Sequence, residues 1–482
     1  MSFGFGFALP AIPRGLAGYD PFNQTGPTLD LSFAGAVTDL SDPNGYTLTT
    51  DFIVPQYQIA AQYSIWENGM GLVSKTFSQI ITFTRASSAT YFDSAGVLQT
   101  ATTDAPRFDY DPSTLAAQGL LMEEARTNTA TYSTEFQNAV YSTVMGADIT
   151  VTDNAVISLD GTTNAATYVE GTALDRHARY QTVSGLNADG VYTVSLFVKY
   201  NSGGRGFALG FGASTSSAAL SSANRGGAYW ATLAAGPATS TYFNGDGSPI
   251  STNAVDVGNG WFRLSLTFTF DTTNASTSFA FGFGITSGSL AVSSTGDGSS
   301  YSIYGFQLEE GEFPTSYIPT VASTVTRAID VAQVNTLSPW FNASEGTLYA
   351  QAEVASVVLA NRLTASIARS TSTANEIQVA ISRAADSRRA AIINAGTNQF
   401  SYAPISTATS SKGALAYKTD DSQAAFEGTS SPVDTSVTVP SLLTTMYLGN
   451  DDSGTQNLNG WLKRVTYYPR RLSQAELESI TT

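Results

Sequence analysis

Few side chains in this 482-residue chain can do chemistry. It contains a single histidine, His177, and no cysteine. Multi-histidine zinc and iron centres, thiolate metal sites, disulfides and cysteine nucleophiles are therefore excluded. A Ser-His-Asp triad would have to recruit His177. It sits in Asp175-Arg-His-Ala-Arg-Tyr180 at the start of an expected strand, without a nucleophile elbow. It reads as a hydrogen-bonded or solvated surface histidine. Gly203-Gly-Arg-Gly-Phe207 lacks the Lys-Ser/Thr pair and the strand-to-helix setting of a phosphate-binding loop.

Paired carboxylates are the enzyme chemistry left open. Glycoside hydrolysis needs two of them about 5–10 Å apart across a cleft. Asp109 and Asp111 alternate on one expected strand, Glu123 and Glu124 are adjacent, and Glu309, Glu310 and Glu312 cluster. Each group reads as turn or strand-edge chemistry, so the chain is expected not to be an enzyme. Sugar stacking needs aromatic faces, and Trp230 and Tyr242, near Gly-rich loops, are the candidate glycan-binding rings. Trp261, alternating with Arg263 in an amphipathic strand, reads as core. No cofactor is expected. Calcium is the one metal the sequence could hold, through the hard oxygens of Asp451 and Asp452 after Asn450.

The elements that must position these groups are strands. At about 150 residues per domain the length suggests three domains. Charged residues make up only 13%, and the net charge is −16. An acidic surface repels nucleic acid and anionic lipid, and no run of 18 apolar residues spans a bilayer. Period-two segments such as Val191-Tyr-Thr-Val-Ser-Leu-Phe-Val198, Trp261-Phe-Arg-Leu-Ser-Leu-Thr-Phe268 and Ser278-Phe-Ala-Phe-Gly-Phe-Gly-Ile285 recur between Gly, Asn, Asp and Ser turns. They predict antiparallel sandwiches. The fold class is all-β: an N-terminal attachment region, two β-sandwich (jelly-roll) domains and a short C-terminal helix. Ser473 with Glu476 forms a capping box for that helix. The expected boundaries are 1–127, 128–320, a linker 321–342, and 343–482, the last expected to fold alone.

Three stretches carry resemblances. Phe83-Thr-Arg-Ala-Ser-Ser-Ala-Thr-Tyr-Phe-Asp-Ser-Ala-Gly96, then Pro106-Arg-Phe-Asp-Tyr-Asp-Pro112 and Gly119-Leu-Leu-Met-Glu-Glu-Ala-Arg-Thr-Asn128, resemble a segment that recurs in tailed-bacteriophage virion proteins. Within it, Thr90–Phe92 and Val97–Leu98 read as a hairpin around Asp93–Gly96. Gln307-Leu-Glu-Glu-Gly-Glu-Phe-Pro-Thr-Ser-Tyr-Ile-Pro-Thr320 resembles the last strand of carbohydrate-binding-module-like jelly rolls. Glu345-Gly-Thr-Leu-Tyr349 and Gly460-Trp-Leu-Lys-Arg-Val-Thr-Tyr-Tyr-Pro-Arg-Arg-Leu-Ser473 resemble the start and end of concanavalin A/laminin-G-like sandwiches.

These resemblances imply a structural or adhesive virion component, a tail or head fibre, that contacts host cell-surface glycans and is assembled in host cytoplasm. A glycan-degrading tailspike and a bacterial surface adhesin are the alternatives. The former should show the regular coils of a β-helix and the latter a secretion signal; neither pattern is found. Phe3, Phe5 and Phe7 alternate with Ser and Gly, which places three rings on one side of a strand. They are expected to anchor the chain to other virion proteins within a homo-oligomer, expected to be a trimer.

Overall fold

The computed structural model describes residues 29–33, 62–67, 71–143, 148–187, 190–212, 225–231, 233, 239–244, 247–270, 278–288, 290, 293–355, 362–369, 372–383, 387–451 and 456–482. Phe3, Phe5, Phe7, the expected strands at 46–49 and 52–54, Asp452 and the side chain of Tyr242 lie outside them. The described fold is all-β, closed by the helix Gln474–Thr481.

The first sandwich is built from residues 141–310. One six-stranded sheet runs Tyr141–Thr143, His177–Ser184, Ser278–Thr286, Gly206–Gly212, Arg225–Trp230, Thr239–Asn244. The other runs Ile149–Ile157, Thr163–Glu170, Ser300–Glu310, Val191–Ser202, Trp261–Phe270, Gly247–Asp256. Alternation sorts each strand into two faces. Val194, Leu196 and Val198, with Leu264, Leu266 and Phe268, point inward against Phe207, Leu209, Phe211, Phe281 and Phe283. Phe211 stacks on Phe268 with centroids 4.1 Å apart. The opposite face of the second sheet carries Ser195, Phe197, Arg263, Ser265 and Thr267, which leaves a polar surface for something else to cover. Gly247–Asp256 includes Pro249 and occupies an edge, where a missing ladder donor is tolerated.

The second sandwich is not confined to 343–482. Its larger sheet places Gly460–Tyr468 beside Glu345–Val354 on one side and Leu29–Ser32 on the other. Ala117–Met122 also pairs with the start of Gly460–Tyr468, from Leu120 to Met122. The seven-stranded sheet inserts Val331–Val334 between Thr445–Leu448 and Thr82–Thr84. The shared core therefore includes Leu29, Leu31, Ile81, Phe83, Leu120 and Met122 along with Leu348, Leu415, Leu448 and Val465. The expected boundaries near 127 and 343 thus run through hydrogen-bonded sheets. Ahead of the motif, a one-turn helix, Phe77–Ile80, leads into the strand Thr82–Thr84.

Gly119 shows how close the approach is. Its φ is +127°, and a Cβ there would lie 2.4 Å from the Leu462 carbonyl oxygen, so only glycine fits. The C-terminal helix covers the outer face of the larger sheet, burying Leu477 with Leu472 against Tyr349, Ala414 and Ala416. Its cap is as expected: the Glu476 carboxylate accepts the Ser473 N–H at 2.7 Å and Ser473 Oγ accepts the Glu476 N–H.

Candidate functional site

The segment 83–128 lies where the two sandwiches meet. Ala89–Phe92 pairs with Leu98–Ala101 around the expected turn, where Asp93 Oδ1 accepts the N–H groups of Ala95 and Val97. Phe108–Tyr110 then runs beside Ala117–Met122.

Under these strands lies a buried charge cluster. Asp330 Oδ1 pairs with Arg85 Nη1 at 3.1 Å, and its Oδ2 pairs with Arg107 Nη2 at 2.5 Å while accepting the Glu123 N–H at 2.9 Å. Glu123 Oε2 lies 2.8 Å from Arg107 Nη1 and 3.1 Å from Arg327 Nη1. Ser316 donates to both Glu123 oxygens, from N and Oγ, at 2.7 Å each. Burial alone would raise the Glu123 carboxyl, but the guanidiniums of Arg327 and Arg107 and the Ser316 donors outweigh it and hold it at about 2. Breaking such a pair from one side leaves an uncompensated buried charge, so the cluster locks the motif to Asp330 and to Ser316 of the first sandwich's closing segment.

This locates the candidate carboxylates. Glu123 is sequestered by arginine. Glu124 bonds Arg126 Nε at 2.6 Å and Asn459 Nδ2 at 2.8 Å. Glu309 is buried and accepts from Thr315 N, Thr315 Oγ1 and Gln307 Nε2. Asp109 is buried, with Oδ1 accepting the Phe92 N–H at 2.7 Å and Oδ2 the Trp461 indole N–H at 2.8 Å. Burial, the largest influence, raises its pKa to about 6 despite these two donors. Asp111 accepts from Ser113 and Thr114 in the following turn.

Asp109 and Asp111 border a cleft of about 360 Å³ between the two sandwiches. One wall is the motif, with Tyr91, Phe92 and Tyr110. The opposite wall is the second sandwich, with Asn459 and Trp461. The floor is the polar sheet face noted above, with Ser251 and Asn253 of the edge strand beside Arg263, Ser265 and Thr267. Tyr91, Tyr110 and Trp461 are each half-buried, so part of each ring remains accessible. The Arg263 guanidinium lies 5.2 Å from the Phe197 centroid and donates to Ser195 Oγ at 3.1 Å. Rings, hydroxyls, an amide and carboxylates thus converge on one cavity.

Of the sequence-derived site residues that are described, Trp230 and Asp451 do not line this cleft. Trp230 is fully buried in the first core, because it shares the inward face of its strand with Ala228; it has no face to offer a ligand. Tyr242 lies in strand Thr239–Asn244 opposite Gly227. Trp261 is buried as expected, in a small cluster with Leu98, Phe197, Tyr304 and Tyr317 beneath the hairpin. His177 is buried rather than on the surface, with Nδ1 2.9 Å from Asp148 O and Nε2 3.1 Å from Ser294 O. Asp451 is also buried and accepts the Gln456 N–H at 3.2 Å. Among the described residues no three His, Asp or Glu side chains are grouped to hold a metal ion. Tyr110 and Trp461 were legible as residues of recognised motifs, but nothing local marks them as neighbours.

No protein-family model matches the chain, and no curated protein matches it. Among solved structures, the carbohydrate-binding module CBM40 of Ruminococcus gnavus IT-sialidase overlaps 29% of this chain and 84% of its own, at 17% identity and a TM-score of 0.25. Mouse laminin α1 chain domains LG4-5 overlap 64% of this chain and 91% of their own, at 9% identity and 0.20. Trypanosoma rangeli sialidase, in complex with sialic acid, overlaps 66% and 60%, at 8% and 0.24. Overlaps this weak assign neither a ligand nor a residue.

Proposed function

We propose that the chain is a non-enzymatic, glycan-contacting appendage protein of a tailed-phage virion, a tail or head fibre exposed on the particle, and that sugar occupies the cleft between its sandwiches. The observation that carries the binding reading is the convergence of Tyr91, Tyr110 and Trp461 with the polar sheet face on one cavity of about 360 Å³. That volume falls in the range of small-ligand sites, and amphipathic rings beside hydroxyls and amides suit a polyhydroxylated ligand. The virion reading rests on the motif resemblance. The cluster beneath the motif fits it, because a rigid junction holds two projecting sandwiches in one orientation. The N-terminal third would join the chain to other virion proteins in a homo-oligomer, a trimer by this reading, with Phe3, Phe5 and Phe7 as its apolar anchor.

The test is a glycan array on full-length protein, followed by calorimetry with the best ligand. Tyr110→Ala should weaken binding at least tenfold; unchanged affinity would remove the cleft from the proposal. Light scattering that shows a monomer would refute the trimer, and immunogold labelling of particles tests the virion assignment.

One observation favours a second, hydrolytic reading. Asp109 at about 6 and Glu123 at about 2 both border the cleft, and such divergence accompanies divided acid and base roles. Against it, the Glu123 oxygens are taken by two arginines and Ser316. Reducing-end release from host polysaccharide that Asp109→Asn abolishes would establish hydrolysis.

A further inference from the structure

We infer that the cleft selects sugars bearing free amines, that is N-deacetylated hexosamine units, and rejects carboxylated or sulfated ones; this rests on the glycan-binding reading above. The argument is one of charge balance by depth.

Deep in the junction, charges of opposite sign pair directly. Arg85, Arg107 and Arg327 face Asp330 and Glu123 at salt-bridge distance. The floor's own cation, Arg263, stacks on Phe197 and lies in the fields of the buried Glu309 and Glu123. Those fields offset part of its charge from within the protein, although burial outweighs them and lowers its pKa.

The mouth is different. Asp111, Asp256 and Glu312 all border the cavity, and Asp256 and Glu312 are exposed. None has a cationic partner among the described residues. Among the described residues, the Asp111 carboxylate accepts from Ser113 and Thr114, Asp256 Oδ1 accepts the Gly258 N–H at 2.8 Å, and the Glu312 carboxylate accepts no hydrogen bond. A ligand entering the cleft passes three uncompensated carboxylates, on a chain whose net charge is already −16. In water-exposed geometry each is worth a small factor within a Debye length. Together they should favour a charged amine over its N-acetylated counterpart by about tenfold at low salt, and disfavour a carboxylate comparably.

The experiment is isothermal titration calorimetry on the full chain, just below neutral pH, with four probes: a glucosamine tetramer, its N-acetylated counterpart, sialyllactose and a galacturonate oligomer. The expected order is amine first, N-acetylated about tenfold weaker, and no measurable binding of either acid. In about 0.5 M salt the amine preference should shrink to a few-fold at most. The double variant Asp256→Asn/Glu312→Gln, on exposed positions, leaves only Asp111 at the mouth and should cut the preference to a few-fold at most. Equal binding of amine and N-acetyl probes, or an undiminished preference in the double variant, overturns the inference and leaves the glycan-binding reading standing. Binding of either acid overturns it too, and loss of that binding in Arg263→Gln would assign the selectivity to Arg263. No binding by any probe removes the binding reading itself, and the inference with it.

Discussion

The two sandwiches solve the same packing problem in different ways. The first draws every strand of its two sheets from residues 141–310 and fills the space between with phenylalanines. The second completes its sheets with Leu29–Ser32, Thr82–Thr84 and Ala117–Met122, segments separated from it by the whole first sandwich. Their sequence signatures are equally regular. Regular alternation therefore shows that a segment is a strand with one buried face, but not which segments will bury it.

The sharpest way to break this comparison is by fragments. A piece spanning 129–320 should give a cooperative β-type circular dichroism melt, because its core loses little. A piece spanning 343–482, expected from sequence to fold alone, should not. It lacks the last two strands of one sheet, Val331–Val334 and Thr82–Thr84, and leaves one side of Gly460–Tyr468 unpaired. A cooperative melt from that piece would mean the borrowed strands are dispensable.

Within the intact chain, the next largest effect should come from Asp330→Ala. It removes the acceptor shared by Arg85 and Arg107 and should destabilise by about 3–5 kcal/mol. Calorimetry should show the second sandwich, whose strands this cluster anchors, melting at lower temperature, with the first changed less.

The pH response sharpens the picture at the junction, because two carboxyls there act with opposite sign. Asp109 is raised from 3.8 to about 6 in the folded chain. Its contribution to stability is present below about 3.8 and is lost as the pH rises toward 6, by about 3 kcal/mol at most. Glu123 is lowered from 4.5 to about 2. Its contribution is present above about 4.5 and is lost as the pH falls toward 2. Asp109→Asn should flatten the fall in melting temperature between pH 4 and 6, and Glu123→Gln should flatten the loss at the acid end. A slope in the pH 4–6 window that survives Asp109→Asn would assign it to another group.

The smallest effect should come from Ser473→Ala. Losing the N-cap should cost about 1 kcal/mol, confined to the helix that packs on the second sandwich, with no shift in the first. Hydrogen exchange resolved along the chain reads both.

Much of the fold was legible because strand periodicity is local. Val191–Ser202, Trp261–Phe270 and Ser278–Thr286 fall where the alternation of apolar residues places them. The strand Gly247–Asp256 carries no such local mark, because its Pro249 suits a strand only where that strand is an edge. Trp230 was misread for a related reason. Its nearness to glycine-rich loops outweighed its alternation with Ala228, which places it in the core. The site was legible only as a list of motif residues. Arg85 and Asp330 lie 245 residues apart, and Asp109 and Trp461 lie 352 apart. No spacing rule links residues so far apart; their contact follows from which sheet each strand joins.

Strand Gly460–Tyr468 has a bearing on how the protein is made. It leaves the ribosome long after Leu29–Ser32 and Ala117–Met122, yet both pair with it. At about 5–20 residues per second, roughly 20–90 s separate the emergence of the earliest of these strands from that of its partner. During that interval the first sandwich can fold between them, while the early strands present open hydrogen-bonding edges to every neighbouring nascent chain. Yield in the cell should then depend on chaperone supply and translation speed more steeply than the stability of the finished fold would suggest.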